Sequence, residues 1–237
     1  MYLGIDSSTM VGSVALLADD TMVGEYTLNL RRTHSERLMV AIEHLLCMSG
    51  VKPDALDAIC VAVGPGSYTG VRIGVTTSKT LAWTLGKPLV AVNTLDALAR
   101  IVPAGLVDAV IAPSVAAKGT LVFGAAYDAL GDYPVLMPPE PLDVVEYISR
   151  LAKYGRTIIP VGDGYCQHSR LFRAADSAAR FFSLPAHSAL PRASLVVEVA
   201  RHRLARGEVS DPRTLAPTYL RIPEAEAVWA SKHGTQS

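Results

Sequence analysis

The stretch GPGSYTGVRIG, residues 64–74, carries four glycines in eleven residues, between the apolar run AICVAV (58–63) and a segment with helical character. A helix N-terminus offers unpaired N–H groups and the positive end of the helix dipole. Glycines let a backbone approach a ligand closely. The stretch therefore has two interpretations: it is a phosphate cradle, or it is a tight strand-to-helix turn.

Two known phosphate-binding patterns do not fit the stretch. A P-loop needs Gly-Lys-Ser/Thr, but Gly70 is followed by Val71 and Arg72. A dinucleotide fingerprint needs G-x-G-x-x-G and an acidic residue at the end of the next strand. Here the third glycine comes one residue late, and the next apolar strand, PLVAV (88–92), ends at Asn93. Residue chemistry alone favours the turn.

The sequence around the stretch predicts a first lobe with the order β-β-β-α-β-α-β-α. Its strands are YLGID (2–6), GSVALLA (12–18), GEYTLNL (24–30), AICVAV (58–63) and PLVAV (88–92). The second half repeats this order weakly, with strands at 108–113, 119–127 and 157–162 and helices at 142–154 and 194–206. We expect an α/β fold of two lobes, 1–103 and 104–222, and a mobile tail at 223–237.

Composition limits the possible functions. Lys plus Arg and Asp plus Glu both number 22, so the chain lacks the basic excess of a protein that binds nucleic acid alone. Its three cysteines have neither zinc nor disulfide spacing. The first residues, MYLGIDSST, lack the pattern of a signal peptide, and no apolar run is long enough to span a membrane. We expect a cytoplasmic protein.

Two helices beside the glycine stretch have unusual surfaces. In the helix at 35–49, Val40 and Cys47 lie seven residues apart on an otherwise polar face. In the helix at 70–85, only Arg72 and Lys79 are charged, so this helix is covered on more than one side.

The second of these helices also has a ridge of small residues. Gly70, Gly74 and Ser78 recur every four residues, which lets another helix approach closely. The pattern leaves two interpretations open: the helix is buried under the second lobe, or it meets a partner chain.

Four segments together resemble the bacterial TsaB family, also called YeaZ. They are LGIDSSTMVGSVALL (3–17), HSERLMVAIEHLL (34–46), VGPGSYTGVRIGVTTSKTLAWTLGKPLVAVNTLDALA (63–99) and PTYLR (217–221). The resemblance is close over residues 1–99 and thin from about 105 to 190. It implies an actin-like ATPase (ASKHA) fold of two ribonuclease-H-like lobes. One departure is APSVAAK (112–118), where family members often have an Asp-Ala-Arg motif.

The resemblance also implies a function. The family supports synthesis of threonylcarbamoyladenosine beside the anticodon of tRNA, by pairing with TsaD, which transfers the threonylcarbamoyl group. The ATPase TsaE joins this pair. ATP and metal are therefore expected on the partner subunits and not on this chain, and tRNA is expected to be bound only through the complex. Alone, the chain is expected to form a homodimer.

Active relatives have two features that this sequence has lost. Their phosphate hairpin is an Asp followed by Gly and Thr, whereas Asp6 is followed by Ser7 and Ser8. TsaD relatives carry H-x-x-x-H after the strand matched by 88–92, and the matching positions here are Thr94 and Leu98. These two side chains cannot replace imidazole ligands. We expect a degenerate phosphate loop, no catalytic residue and no metal site.

In the family, the two first-lobe helices make the TsaD contact. The resemblance therefore assigns the partner interface to Val40, Cys47, Gly70, Val71, Arg72, Gly74, Val75, Ser78 and Lys79. On this assignment, Gly74→Leu or a charge at Val75 disrupts pairing and leaves the monomer folded.

Two other functions stay open at this point. The first is an active ATP-dependent or peptidase-like enzyme of the same fold, which the missing metal ligands and hairpin glycine disfavour. The second is a protein that binds tRNA by itself, which the neutral net charge disfavours.

Overall fold

The structure, a computed structural model, describes residues 1–29, 34–175 and 180–220, and for residues 34–36 it describes the backbone only. The tail expected to be mobile, 223–237, lies outside the described residues. So does Arg221, the last residue of the PTYLR motif.

The described part of the chain alternates strands and helices. The strands are β1 (Tyr2–Asp6), β2 (Val11–Ala18), β3 (Thr21–Asn29), β4 (Ala58–Ala62), β5 (Leu89–Val92), β6 (Ala109–Ala116), β7 (Leu121–Asp128), β8 (Val135–Asp143) and β9 (Thr157–Val161). The helices are α1 (His34–Ser49), α2 (Tyr68–Leu85), α3 (Thr94–Ala99), α4 (Val144–Ala152), α5 (Asp163–Ala174) and α6 (Ala193–Ala205). None of these helices is long and apolar enough to cross a membrane.

The first sheet has the strand order β3-β2-β1-β4-β5. Strands β1, β2 and β3 form an antiparallel meander, and β4 and β5 run parallel to β1. The second sheet, β8-β7-β6-β9, repeats the arrangement with β9 parallel to β6. This repeated topology confirms the predicted actin-like ATPase fold of two ribonuclease-H-like lobes.

Alternation along the central strand β4 explains why helices cover both faces of the first sheet. Ile59 and Val61 face α1 and α2, whereas Cys60 and Ala62 face α3 and α6. Because both sets are apolar, neither face of the sheet can be left in water. Helix cover on both faces of the first sheet thus follows from a strand that is hydrophobic at every position.

Helix α6 belongs to the second half of the sequence but packs on the first sheet. A Cβ at Gly4 would overlap the carbonyl oxygen of Ala193, the first residue of α6, so the backbones of β1 and α6 are in direct contact. The boundaries of the expected lobes, 1–103 and 104–222, stay a prediction.

Two elements were not expected from the sequence. Strand β8 contains three prolines (Pro138, Pro139 and Pro141) and lies at the edge of its sheet, where a missing N–H is tolerated. Helix α5 contains a kink at His168, which interrupts the helical periodicity. In both cases, tertiary context overrides a weak local signal.

Candidate functional site

The turn between β1 and β2 holds residues that the sequence predicts to form a degenerate phosphate loop. The carboxylate of Asp6 accepts hydrogen bonds from the backbone N–H and the hydroxyl of Ser8, at 2.9 and 2.6 Å. Asp6 and Ser7 are each 1% exposed, and Ser8 is fully buried. The three residues matched to the phosphate hairpin therefore have almost no accessible surface to offer a ligand.

The glycine stretch covers this turn from one side. The backbone N–H of Ser67 donates to the carbonyl oxygen of Ser8 at 2.6 Å. A Cβ at Gly66 would overlap the same carbonyl oxygen. The loop before α2 thus lies against the backbone of the turn, with no space for a side chain between them.

Ser7 makes the equivalent contact with the first turns of α2. Its hydroxyl donates to the carbonyl oxygen of Gly70 at 2.8 Å. A Cβ at Gly70 would overlap the Ser7 carbonyl oxygen, and a Cβ at Gly74 would overlap the Ser7 hydroxyl. The ridge of small residues expected to admit a second helix therefore admits the β1–β2 turn of the same chain.

The second lobe contains the same kind of contact. Pairing with the next parallel strand begins at Tyr2 in β1 and at Ala109 in β6. Ser7 is the sixth residue counted from Tyr2, and Ser114 is the sixth counted from Ala109. A Cβ at Gly162 would overlap the carbonyl oxygen of Ser114, and one at Gly164 would lie 2.8 Å from its hydroxyl. The altered motif at 112–118 thus keeps a packing serine in place.

An aspartate at the start of α5 lies in this second contact region. Asp163 accepts a hydrogen bond from the backbone N–H of Ala116 at 3.0 Å. Burial, helped by the negative charge of Asp6, raises the pKa of Asp163 to about 6, despite that hydrogen bond. The carboxylate charge at neutral pH is therefore a cost to folding.

The positions of the two missing imidazoles lie in the core between the sheets. Thr94 is fully buried and Leu98 is 1% exposed. Leu98 packs with residues of the second sheet, and its Cδ1 lies 3.1 Å from the position that a Cβ at Gly162 would take. These positions are therefore occupied by packing contacts between the two lobes.

The structure divides the nine expected interface residues into two groups. Val40, Cys47 and Arg72 are exposed, and Lys79 is half-buried. The other five are buried within the chain: Gly70, Val71, Gly74, Val75 and Ser78. A charge at Val75 or a Leu at Gly74 would therefore act first on the monomer, contrary to the sequence-based expectation.

Arg72 and Lys79 hold a segment of their own chain. The Nε of Arg72 donates to the hydroxyl of Tyr219 at 2.8 Å. The Nζ of Lys79 donates to the carbonyl oxygen of Leu215 at 2.7 Å. Residues 211–220, here called the C-terminal segment, thus run along one side of α2. The sequence carries no signal for this contact, because the partners lie more than 130 residues apart.

Comparison with known proteins gives concordant results. The family model described as TsaD, tRNA N6-adenosine threonylcarbamoyltransferase, matches residues 22–229. The tRNA threonylcarbamoyladenosine biosynthesis protein TsaB of Bacillus subtilis strain 168 is 34% identical over 228 residues, which cover 96% of each chain. The TsaB protein of Escherichia coli K12 is 36% identical over 98 residues, 41% of this chain and 42% of that one.

A solved structure is similar over almost its whole length. YeaZ from Pseudomonas aeruginosa superposes with a TM-score of 0.76 at 28% identity, covering 92% of this chain and 99% of that chain. The two-lobed arrangement described above is therefore shared with a solved protein.

The contact between Ser7 and Gly74 can be tested by a double-mutant cycle. We expect Gly74→Ala to lower the free energy of unfolding by about 1–3 kcal/mol, because the new methyl group overlaps the Ser7 hydroxyl. Ser7→Ala alone costs about 1 kcal/mol for the lost hydrogen bond. In the Ser7→Ala background, Gly74→Ala costs less, because the remaining contacts of its Cβ are 3.7 Å or longer. Additive losses in urea unfolding would contradict the contact.

The raised pKa of Asp163 predicts a pH-dependent stability. Because the folded pKa of Asp163, about 6, lies above the usual 3.8, the folded state binds the proton more tightly than the unfolded state. The resulting contribution to the free energy of unfolding is fully present below pH 3.8 and is lost as the pH rises through about 6. We expect Asp163→Asn to be more stable than the wild type at pH 7.5, by up to about 3 kcal/mol. The difference disappears near pH 4. Urea unfolding of both proteins across this range is the measurement, and parallel pH profiles would count against the assignment.

Proposed function

The chain belongs to the TsaB family, within the wider family described by the TsaD model, and from that premise we propose that it is a non-catalytic subunit of a tRNA-modifying complex. It pairs with a TsaD homologue and supports threonylcarbamoyl transfer to the adenosine beside the anticodon. A TsaE homologue joins through this pair, and tRNA is bound only through the complex. The cytoplasmic location expected from the sequence stays a prediction.

The sealed hairpin is the observation that carries this proposal. In an active member of the fold, the turn after the first strand must admit a phosphate to its backbone. Here Ser7 and Ser8 are buried, and the carboxylate of Asp6 is engaged by its own turn. Entry of a nucleotide phosphate would require α2 to separate from the first sheet, which would expose the apolar core beneath it.

The buried positions 94 and 98 support the same conclusion. Thr94 and Leu98 lie where active relatives place two metal-binding imidazoles, and both pack in the interior. Neither an isobutyl group nor a hydroxyl without a neighbouring ligand can hold a catalytic cation. ATP and metal chemistry is therefore assigned to the partner subunits.

The outer surface of α1 and α2 is the proposed pairing face. Val40 and Met39 are 61% and 46% exposed on α1, and Cys47 is also exposed. On α2, Thr76 and Thr80 are exposed on the side away from the sheet. Apolar side chains beside short β-branched ones suit close packing of helices from another subunit. In the absence of the partner, a second copy of the chain occupies the same face.

Nucleotide binding distinguishes this proposal from an active enzyme. We expect no heat of binding when the isolated chain is titrated calorimetrically with about 1 mM ATP and Mg²⁺, because the hairpin is closed. The TsaD homologue from the same source, titrated alone, serves as the positive control. Micromolar affinity of the isolated chain for ATP would overturn the non-catalytic assignment.

The pairing face is tested by a matched pair of substitutions. Val40 on α1 and Val145 on α4 are 61% and 59% exposed, so a change to Asp is equally compatible with folding at both. We expect Val40→Asp to raise the Kd for the co-purified TsaD homologue at least about tenfold, because it places an unpaired charge in the apolar part of the face. Val145→Asp leaves the Kd unchanged.

Binding is measured by calorimetry, with thermal unfolding as the check on folding. Failure of the wild-type chain to pair with the TsaD homologue would contradict the proposed function itself. Equal binding by both variants would contradict only the placement of the face on α1.

A further inference from the structure

The C-terminal segment is built into the first lobe along a defined path. After α6, Ser210 extends the edge of the first sheet, and its backbone N–H donates to the carbonyl oxygen of Leu89 at 2.7 Å. Further on, the N–H of Thr218 donates to the carbonyl oxygen of Val63 at 2.7 Å. Backbone hydrogen bonds to β5 and to the residue after β4 therefore fix the chain just before this segment and near the end of the segment.

Aromatic and cationic side chains meet at the N-terminal end of α2. The rings of Tyr68 and Tyr219 stack with their centroids 5.1 Å apart. The guanidinium carbon of Arg72 lies 3.9 Å from the centroid of Tyr68, and its Nε donates to the Tyr219 hydroxyl. Both tyrosines remain 38% exposed. The cluster is thus rigid and also accessible.

A second cation–aromatic pair lies at the C-terminal end of the same helix. The guanidinium carbon of Arg213 is 4.6 Å from the centroid of Trp83, and Trp83 is 59% exposed. Together Tyr68, Arg72, Trp83, Arg213 and Tyr219 form the patch here called the α2 rim. Trp, Tyr and Arg are the residues most enriched at interface hot spots, so this exposed group has the composition of a binding surface.

The charge of the rim has one sign. The 18 residues of α2 include Arg72 and Lys79 and no acidic residue. The one nearby acid of the C-terminal segment, Asp211, accepts the backbone N–H of Arg213 through its carboxylate. The α2 rim is therefore cationic and aromatic, and it complements an acidic surface.

The rim borders the proposed pairing face, because Arg72 and Thr76 are neighbours on one exposed side of α2. A cationic surface beside this face strengthens binding only to a partner that places acidic groups opposite it, so the rim contributes to the choice of partner.

We propose that the α2 rim binds an acidic patch of the partner subunit; this rests on the proposed function. The C-terminal segment is then part of the pairing surface. Arg72 acts as a positioning residue that holds Tyr219 in the rim, and Arg213 makes the charged contact.

Charge reversal at Arg213 is the test, with Arg170 on α5 as the matched control. Both arginines are exposed, and Arg170 lies in the second lobe. We expect Arg213→Glu to raise the Kd for the TsaD homologue at least about tenfold at about 0.05 M salt, and this difference to shrink at about 0.5 M salt because the interaction is screened. Arg170→Glu leaves the Kd within about twofold of the wild type.

The outcomes separate this inference from the proposed function. If the wild type pairs with the TsaD homologue and the two variants pair equally well, the rim proposal is wrong and the proposed function stands. If the wild type does not pair, the proposed function fails. A loss of tRNA retention by the isolated Arg213→Glu chain, with partner affinity unchanged, would overturn the rim proposal in favour of a nucleic-acid surface. Should Arg213→Glu unfold in thermal melts, Arg213→Gln gives the same comparison with a smaller change.

Discussion

The first turns of α2 approach the β1–β2 turn so closely that the helix side has no room for a Cβ, and the position of α2 depends on this contact. Gly66 and Gly70 face carbonyl oxygens of the turn, and Gly74 faces the Ser7 hydroxyl. The contact sets the distance of α2 from the first sheet, and it seals Asp6 from solvent. A loop that resembles a phosphate cradle therefore holds a neighbouring turn of its own backbone.

The same close contact between a strand end and a helix start occurs in both sheets, although the sequence shows the repeat poorly. Ser114 takes the place of Ser7 in the second sheet, and Gly162 and Gly164 take the place of the α2 glycines. The residue before each serine differs, because Asp6 in the first lobe corresponds to Pro113 in the second. What is repeated is a backbone approach between a strand end and a helix start. Such an approach requires only a small residue on the helix side, so it leaves other positions free to diverge.

The sequence was sufficient for the first lobe and insufficient for the surface of α2. The uninterrupted apolar pattern of β4 and the glycine stretch after it predicted a covered sheet and a tight turn, and both are present. Strand β8 was missed because its three prolines contradict strand propensity, and only its edge position makes them acceptable. The role of Arg72 was missed for a different reason. Periodicity shows which side of a helix is polar, but a contact with Tyr219, 147 residues away, is a property of the fold.

Three groups of residues on α2 have different surroundings. The glycines pack on the β1–β2 turn, and Arg72 and Lys79 hold the C-terminal segment. The exposed group includes Thr76 and Thr80, and the Thr80 hydroxyl donates to the carbonyl oxygen of Thr76 within the helix. Close packing by the first two groups restrains α2, and a restrained helix loses little entropy when it binds a partner. On the function proposed above, closure of the phosphate site and provision of a pairing surface both result from this packing.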